Sequence, residues 1–198
     1  MIFENKYWVF KNLLPINFCD DVIAYGNSLK QKQAEVFGNL KGEDLNKIRQ
    51  SNVVWMEDCW IFRHLKPFIE IANKNAGWNF QIDGTEQMQF TKYKLNGHYD
   101  WHVDTGSVPY NDVTNQKTFG KIRKISLTCS LADGLNYKGG TFQLKGPEND
   151  QIIEVDELRK KGSVVLFPSY LRHRVAPVTS GERYSLVCWM IVTGKQNY

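Results

Sequence analysis

Long apolar runs are missing from this 198-residue chain: its uninterrupted hydrophobic stretches last only a few residues. A membrane-spanning helix needs roughly 20, so no membrane partner is expected. The opening stretch IFENKYWVF is broken by Glu4 and Lys6, which argues against a signal peptide. Closely spaced cysteines are missing too. Cys19, Cys59, Cys129 and Cys188 lie far apart and form none of the spacings of a zinc knuckle or a redox motif. They read as free thiols of a reducing compartment, the cytoplasm or, for a viral chain, the host cytoplasm. An excess of one charge is nearly absent: 25 Lys and Arg oppose 21 Asp and Glu, a formal +4 spread thinly along the chain. That is poor footing for a nucleic-acid partner. Repeats and low-complexity tracts are absent, and histidine is scarce, at four residues.

What is present suffices for one compact domain, 42% hydrophobic and 13% aromatic. After a strand-like segment at Tyr7 to Phe10, the spacing predicts a helix over Asn17 to Phe37 with an Asn cap and early Asp20 and Asp21. Gly38 to Arg49 is polar and reads as a loop. Met56 to Asn75 returns to helical spacing, with Pro67 starting a second piece. From Gln81 onward β-branched and aromatic residues alternate with polar ones. Strands are expected near Met88 to Leu95, Tyr99 to Val103, Arg123 to Leu131, Thr141 to Leu144, Ile152 to Val155, Ser163 to Phe167, His173 to Val175 and Arg183 to Val192. The fold class is therefore α+β, mainly β. Helical support over 15–80 packs on one sheet of an antiparallel jelly-roll sandwich, the double-stranded β-helix, over 81–193, all within a single domain of 1–198.

Two of the four histidines fall in YKLNGHYDWHVD, giving two overlapping His-x-Asp triplets, His98 with Asp100 and His102 with Asp104. Residues two apart on a strand share a face, so either triplet can offer an imidazole and a carboxylate to one ion. Four histidines and 11 aspartates in 198 positions yield about 0.22 such triplets by accident, so one triplet alone is weak. The bland reading is a polar strand edge. Support comes from His173, which follows the buried-looking Val164 to Phe167 and a turn at Pro168. Two ligands close in sequence and a third far downstream is the two-His, one-carboxylate pattern that binds Fe(II) and leaves coordination positions open. Ten residues on, Arg183 follows the turn residues Ser180 and Gly181 and begins the alternating strand RYSLVCWMIV. A guanidinium there suits a carboxylate and, if that strand runs antiparallel to the one bearing His173, lies deeper in the same cavity, with Ser185, Val187 and Trp189 on its face by alternation.

Together these residues resemble the Fe(II)/2-oxoglutarate-dependent dioxygenases, in particular the prolyl 4-hydroxylase-like branch. The likeness runs from Tyr93 to Trp189 and rests on Tyr93, Gly97, Tyr99, His102 and Asp104, then on His173 followed by H-R-V-x-P-V-x-x-G-E-R. Gly139 and Gly140 stand where that family turns into a sheet strand. The resemblance selects His102, Asp104 and His173 as metal ligands over His98 and Asp100. It assigns Arg183 to the far carboxylate of 2-oxoglutarate, with Tyr93, Ser126, Thr128, Ser130 and Trp189 as candidate further contacts. The oxygen-sensing relatives carry an aromatic where this chain has Ser130, and the collagen-type enzymes use Lys where it has Arg183.

The resemblance implies Fe(II), 2-oxoglutarate and dioxygen, with ascorbate as an auxiliary, and hydroxylation coupled to release of succinate and carbon dioxide. It favours a peptidyl proline as the target. A free amino acid or small metabolite stays open, as does an alkylated base, and so does a jelly-roll binding protein that has lost the reaction. Residues 105–122, TGSVPYNDVTNQKTFGKI, read as a mobile lid, and Trp101, Tyr110 and Phe119 as possible apolar contacts to substrate. No feature of the chain fixes an oligomeric state.

Overall fold

The computed structural model describes residues 5–35, 42–57, 59–146 and 151–194. Among them, in chain order, run β1 (Trp8–Phe10), α1 (Ile16–Ser28), β2 (Lys32–Gln33), α2 (Gly42–Ile48), β3 (Arg49–Gln50), β4 (Asn52–Met56) and α3 (Cys59–Asn75). The second part holds β5 (Gly84–Thr85), β6 (Met88–Tyr93), β7 (His98–His102), β8 (Lys121–Ser130), β9 (Tyr137–Gly139), β10 (Phe142–Lys145) and β11 (Ile152–Glu154). After a 3-10 turn at Asp156–Arg159 it closes with β12 (Val164–Pro168), β13 (His173–Val175), β14 (Val178–Gly181) and β15 (Arg183–Thr193).

Most strands form two antiparallel layers, and β14 pairs with β9 in a separate two-stranded sheet. The larger sheet has the order β1-β12-β8-β15-β6-β4-β2, with β5 also on β15, and the smaller has the order β11-β10-β13-β7-β3. Alternation decides which side chains face which layer. On β15, Leu186, Cys188, Met190 and Val192 join Leu127 and Cys129 of β8 and Phe90 of β6 against Val22 of α1 and Ile61, Leu65 and Ile69 of α3. The opposite face of the larger sheet looks into the sandwich, where Val165 and Phe167 of β12 meet Phe142 and Leu144 of β10 and Val175 of β13. The helices thus cover one sheet face and leave the other for the interior between the sheets. Gly26 makes the first contact possible, because a Cβ there would sit 2.6 Å from the Phe90 ring. The glycine pair has a comparable role: Gly139 and Gly140 take φ of 69° and 64° at the turn into β10, and a Cβ on Gly139 would lie 2.2 Å from the Pro177 carbonyl oxygen.

The sandwich and its helical cover agree with expectation, and β13 has the expected bounds. The N-terminal half differs more. The first helix stops at Ser28, Leu29 is already extended, and β2 pairs with β4 instead of continuing the helix. Pro15 holds the N-cap position without a side-chain cap, so Asn17 lies inside the helix, and Asp20 pairs with Lys161. The end of the predicted helix at Phe37 and the first part of the predicted loop, Gly38 to Lys41, lie outside the described residues. The rest of that loop is α2 followed by β3. Asn52–Met56, partly read as a helix start, is a strand between β2 and β6. Helix α3 runs through Pro67 without a second start, forgoing the hydrogen bond that a proline cannot donate. No described helix is long and apolar enough to cross a membrane, and Cys19, Cys129 and Cys188 are free and buried.

Candidate active site

A β-bulge sets up the centre. β7 and β13 pair at His102 with His173 and at Tyr99 with Val175, so three steps on β7 match two on β13. The extra residue turns Tyr99 and His102 to the same side. The two imidazoles therefore face each other across adjacent strands, ring centroids 4.1 Å apart. Asp104 lies just past the end of β7, where its backbone N–H donates to the Ser169 carbonyl at 2.9 Å. From the opposite sheet, Ser126 on β8 donates its hydroxyl to Asp104 Oδ2 at 2.7 Å, and the Ser169 hydroxyl stands 2.9 Å from that of Ser126.

Each ring is fixed in one tautomer. His102 Nδ1 is 2.7 Å from the Asp100 carbonyl and His173 Nδ1 is 2.9 Å from the Leu171 carbonyl. A carbonyl only accepts, so each Nδ1 donates its hydrogen there, and the Nε2 of each ring is the atom left for a metal. Those Nε2 atoms lie 3.7 and 3.4 Å from the Asp104 carboxylate oxygens. The ligand atoms that the three residues offer all fall within 4.8 Å of one another. Burial pushes the His102 pKa down to about 3, and the neighbouring His173 adds to the shift, which keeps the ring neutral. Burial works to raise the Asp104 pKa, but His173, His102, Arg123 and the Ser126 hydroxyl outweigh it and hold it near 2. Two imidazole Nε2 atoms and a carboxylate facing one point are a donor set for a divalent cation.

The first triplet is not built this way. His98 has the Asn96 carbonyl at 2.8 Å from Nδ1 and the Lys47 carbonyl at 3.1 Å from Nε2, and Asp100 is exposed.

Around the three ligands lies a cavity of about 440 Å³ between the sheets. Arg183, at the start of β15, pairs with Tyr93 of β6, and its guanidinium sits 5.2 Å from the centre of the Tyr93 ring. It is 1% exposed, among the largest fully buried side chains of the protein. Nη1 donates to the Ser185 hydroxyl at 3.2 Å, while Nη2 finds no partner among the described residues. A buried guanidinium with a free donor is costly in the absence of an anion. Thr128, Ser185, Val187 and Trp189 line the same cavity, as the alternation of β15 requires. β13 and β15 belong to different sheets, so Arg183 reaches the cavity of His173 through the packing of the sheets and not through strand pairing. Ser130 is not in the lining, because its hydroxyl donates to the Ala132 carbonyl. Ser126 serves Asp104.

The cavity wall opposite Arg183's strand end includes residues that the sequence did not single out. Arg123 on β8 forks onto Glu86 with contacts of 2.6 and 2.5 Å, and Tyr110 donates its hydroxyl to Glu86 at 2.8 Å. The guanidinium of Arg123 also lies 4.1 Å from the centre of the Trp189 ring, and the Trp189 indole N–H has no partner among the described residues. Arg49 and Gln89 complete this side. Inward alternation on β6 was the available signal for Gln89, whereas Arg49 lies on a two-residue strand and Glu86 between β5 and β6, where no period can be read. Of the expected substrate contacts, only Tyr110 lines the cavity. Trp101 lies between the side chains of Lys145 and Arg174, at 5.3 and 4.8 Å, and Phe119 is exposed. Residues 105–120 link the two sheets and fold into turns closed by bonds between Tyr110 and Lys121 and between Gly120 and Tyr110, while Lys121 and Ile122 already belong to β8.

Comparison with known proteins adds the following. The model of the 2OG-Fe(II) oxygenase superfamily matches residues 88–191, the stretch that holds His102, Asp104, His173 and Arg183. A PKHD-type hydroxylase of Synechococcus sp. (strain CC9605) is 37% identical over 93 residues, 46% of this chain and 36% of that protein. One from Xylella fastidiosa (strain M12) is 33% identical over 103 residues, 52% of this chain and 43% of that protein. The chain thus spans less than half the length of these curated relatives. A prolyl-4-hydroxylase from Pseudomonas putida superposes with a TM-score of 0.71 at 17% identity, covering 94% of this chain and 93% of the other. A prolyl hydroxylase from Trichoplax adhaerens, solved with a hypoxia inducible factor peptide fragment, gives 0.69 at 20% identity, covering 94% and 84%. Those two superpositions speak for the fold.

Proposed function

From the premise that this chain belongs to the 2OG-Fe(II) oxygenase superfamily, we propose that it is a dioxygenase that hydroxylates a peptidyl proline with Fe(II), 2-oxoglutarate and dioxygen. One observation carries the reading: a two-imidazole, one-carboxylate set and a buried guanidinium with an unpartnered N–H among the described residues share a single cavity. The donor set fits Fe(II), and Arg183 fits a dicarboxylate's far end.

In this reading His102 and His173 give Nε2 and Asp104 gives a carboxylate oxygen to the metal. Arg183 Nη2 binds the far carboxylate of 2-oxoglutarate, and Tyr93 supports the guanidinium. Thr128 and Ser185 line the same part of the cavity. Iron and 2-oxoglutarate, when bound, supply the oxidation: dioxygen and the keto acid give succinate, carbon dioxide and one hydroxyl on the substrate carbon. The chain's part is to order the ligands, to keep the cavity dry and to present the substrate. Segment 105–122, which brings Tyr110 to the cavity wall, acts as the substrate cover.

A proline within a peptide is favoured because two of the fold's neighbours are named prolyl hydroxylases, one of them solved with a peptide fragment. The test is succinate formation measured with proline-rich peptides, free amino acids and methylated oligonucleotides, with mass spectrometry for a gain of one oxygen. A hydroxylated peptide supports the whole proposal. A hydroxylated amino acid or base overturns the substrate, and no succinate under any condition overturns the reaction.

A further inference from the structure

We propose that Arg49, from the N-terminal third of the chain, is a positioning residue for the metal centre that acts through Tyr99 on His102. The inference rests on reading His102, Asp104 and His173 as the metal site.

Three groups lie in a stack. The Tyr99 ring covers the His102 ring at a centroid separation of 3.5 Å and an angle of 14°. The Arg49 guanidinium carbon lies 4.3 Å from the Tyr99 ring centre. The bulge on β7 is what makes the arrangement possible, because without the extra residue Tyr99 and His102 would point to opposite sides of the strand. His102 is thus held by its Nδ1 bond to Asp100, by His173 beside it and by the flat face of Tyr99.

Arg49 is built in as few arginines are. It is 6% exposed. Nε donates to the Ser51 hydroxyl at 3.1 Å, Nη1 to the Glu35 carbonyl at 3.2 Å and Nη2 to Gln89 Oε1 at 2.6 Å. These acceptors come from three places: the segment after β2, the link between β3 and β4, and β6. All of them are uncharged. These three bonds and the π-face of Tyr99 together answer the buried guanidinium. The fork fixes the guanidinium plane, that plane limits the tilt of Tyr99, and Tyr99 limits the rotation of the His102 ring about its side-chain bonds. A histidine ligand that cannot swing holds its lone pair on the metal at lower entropic cost. Arg49 lies outside the stretch 88–191 that the family model matches, so this part of the N-terminal region reaches the metal centre.

The test is binding of Co(II), read by titration and by its visible ligand-field spectrum, in the full chain and in Arg49→Met, Arg49→Lys, Tyr99→Leu and the double variant Arg49→Met/Tyr99→Leu. Melting curves are recorded in parallel. We expect wild type to bind one Co(II), and Arg49→Met and Tyr99→Leu each to weaken binding about tenfold and to change the band shape. Arg49→Lys fails to restore either, because an ammonium lacks the planar fork. The double variant is no weaker than Tyr99→Leu alone. The proposal is overturned if Arg49→Met keeps its affinity within about twofold and its spectrum superimposes on wild type, or if the two effects add. Should Arg49→Met unfold, Arg49→Gln takes its place with the same expectations. A wild-type chain that takes up no cobalt would overturn the reading of the triad instead.

Discussion

The two faces of β15 are both largely withdrawn from water and chemically opposite. Toward the helices stand Leu186, Cys188, Met190 and Val192, none more than 1% exposed. Toward the smaller sheet stand Arg183 and Ser185, each 1% exposed, then Val187 and Trp189. Burial alone does not separate core from site here. What separates them is satisfaction: the helix-side face asks for nothing, while the cavity face leaves Arg183 Nη2 and the Trp189 indole N–H without partners. A polar group buried without a partner costs free energy that folding alone does not recover, so such groups on one face of an otherwise well-packed strand mark where a ligand belongs.

Substitutions on the two faces should therefore fail in different ways. The largest effect is expected from Asp104→Ala, which takes the carboxylate out of the ligand set: succinate formation falls to background while the melting temperature stays within a few degrees of wild type. If the variant instead unfolds, the carboxylate is structural. Next comes Arg183→Met. Losing a buried charge-assisted contact of about 2–5 kcal/mol weakens 2-oxoglutarate binding by about 30-fold or more. Stability without ligand holds or rises, because an unanswered buried cation has been removed. Calorimetry with 2-oxoglutarate and a melt without it check both halves, and a large loss of stability in the unliganded protein would erase the contrast.

On the helix side, Leu186→Ala should cost about 3 kcal/mol of stability and leave the KM for 2-oxoglutarate unchanged. Denaturant titration and steady-state kinetics on the same sample test this, and a shifted KM would mean the two faces are coupled. The smallest effect is expected from Ser126→Ala, which removes the hydroxyl that orients Asp104: metal affinity falls about tenfold and the melt barely moves. Unchanged affinity would make Ser126 a packing residue.

The β-rich part was legible because its signals are local. Alternation and punctuating glycines place β6, β8, β12 and β15 within a few residues, and β13 with its bounds. His102, Asp104, His173 and Arg183, which the resemblance singled out, line one cavity. The N-terminal half resists the same reading for identifiable reasons. Helical spacing continues past Ser28, but β4 offers Lys32 and Gln33 a strand partner, and tertiary pairing overrides propensity. Arg49 lies on a two-residue strand in a polar stretch, where no periodicity can be read. The bulge that turns Tyr99 toward His102 is a property of strand pairing, and a sequence read one strand at a time does not contain it.

The most direct measurement is anomalous diffraction from crystals grown without oxygen in the presence of Fe(II) and 2-oxoglutarate. The account predicts one strong peak bonded to Nε2 of His102, Nε2 of His173 and a carboxylate oxygen of Asp104, with the keto acid's far carboxylate on Arg183 Nη2. A peak held by other residues, or a keto acid bound away from Arg183, would contradict it.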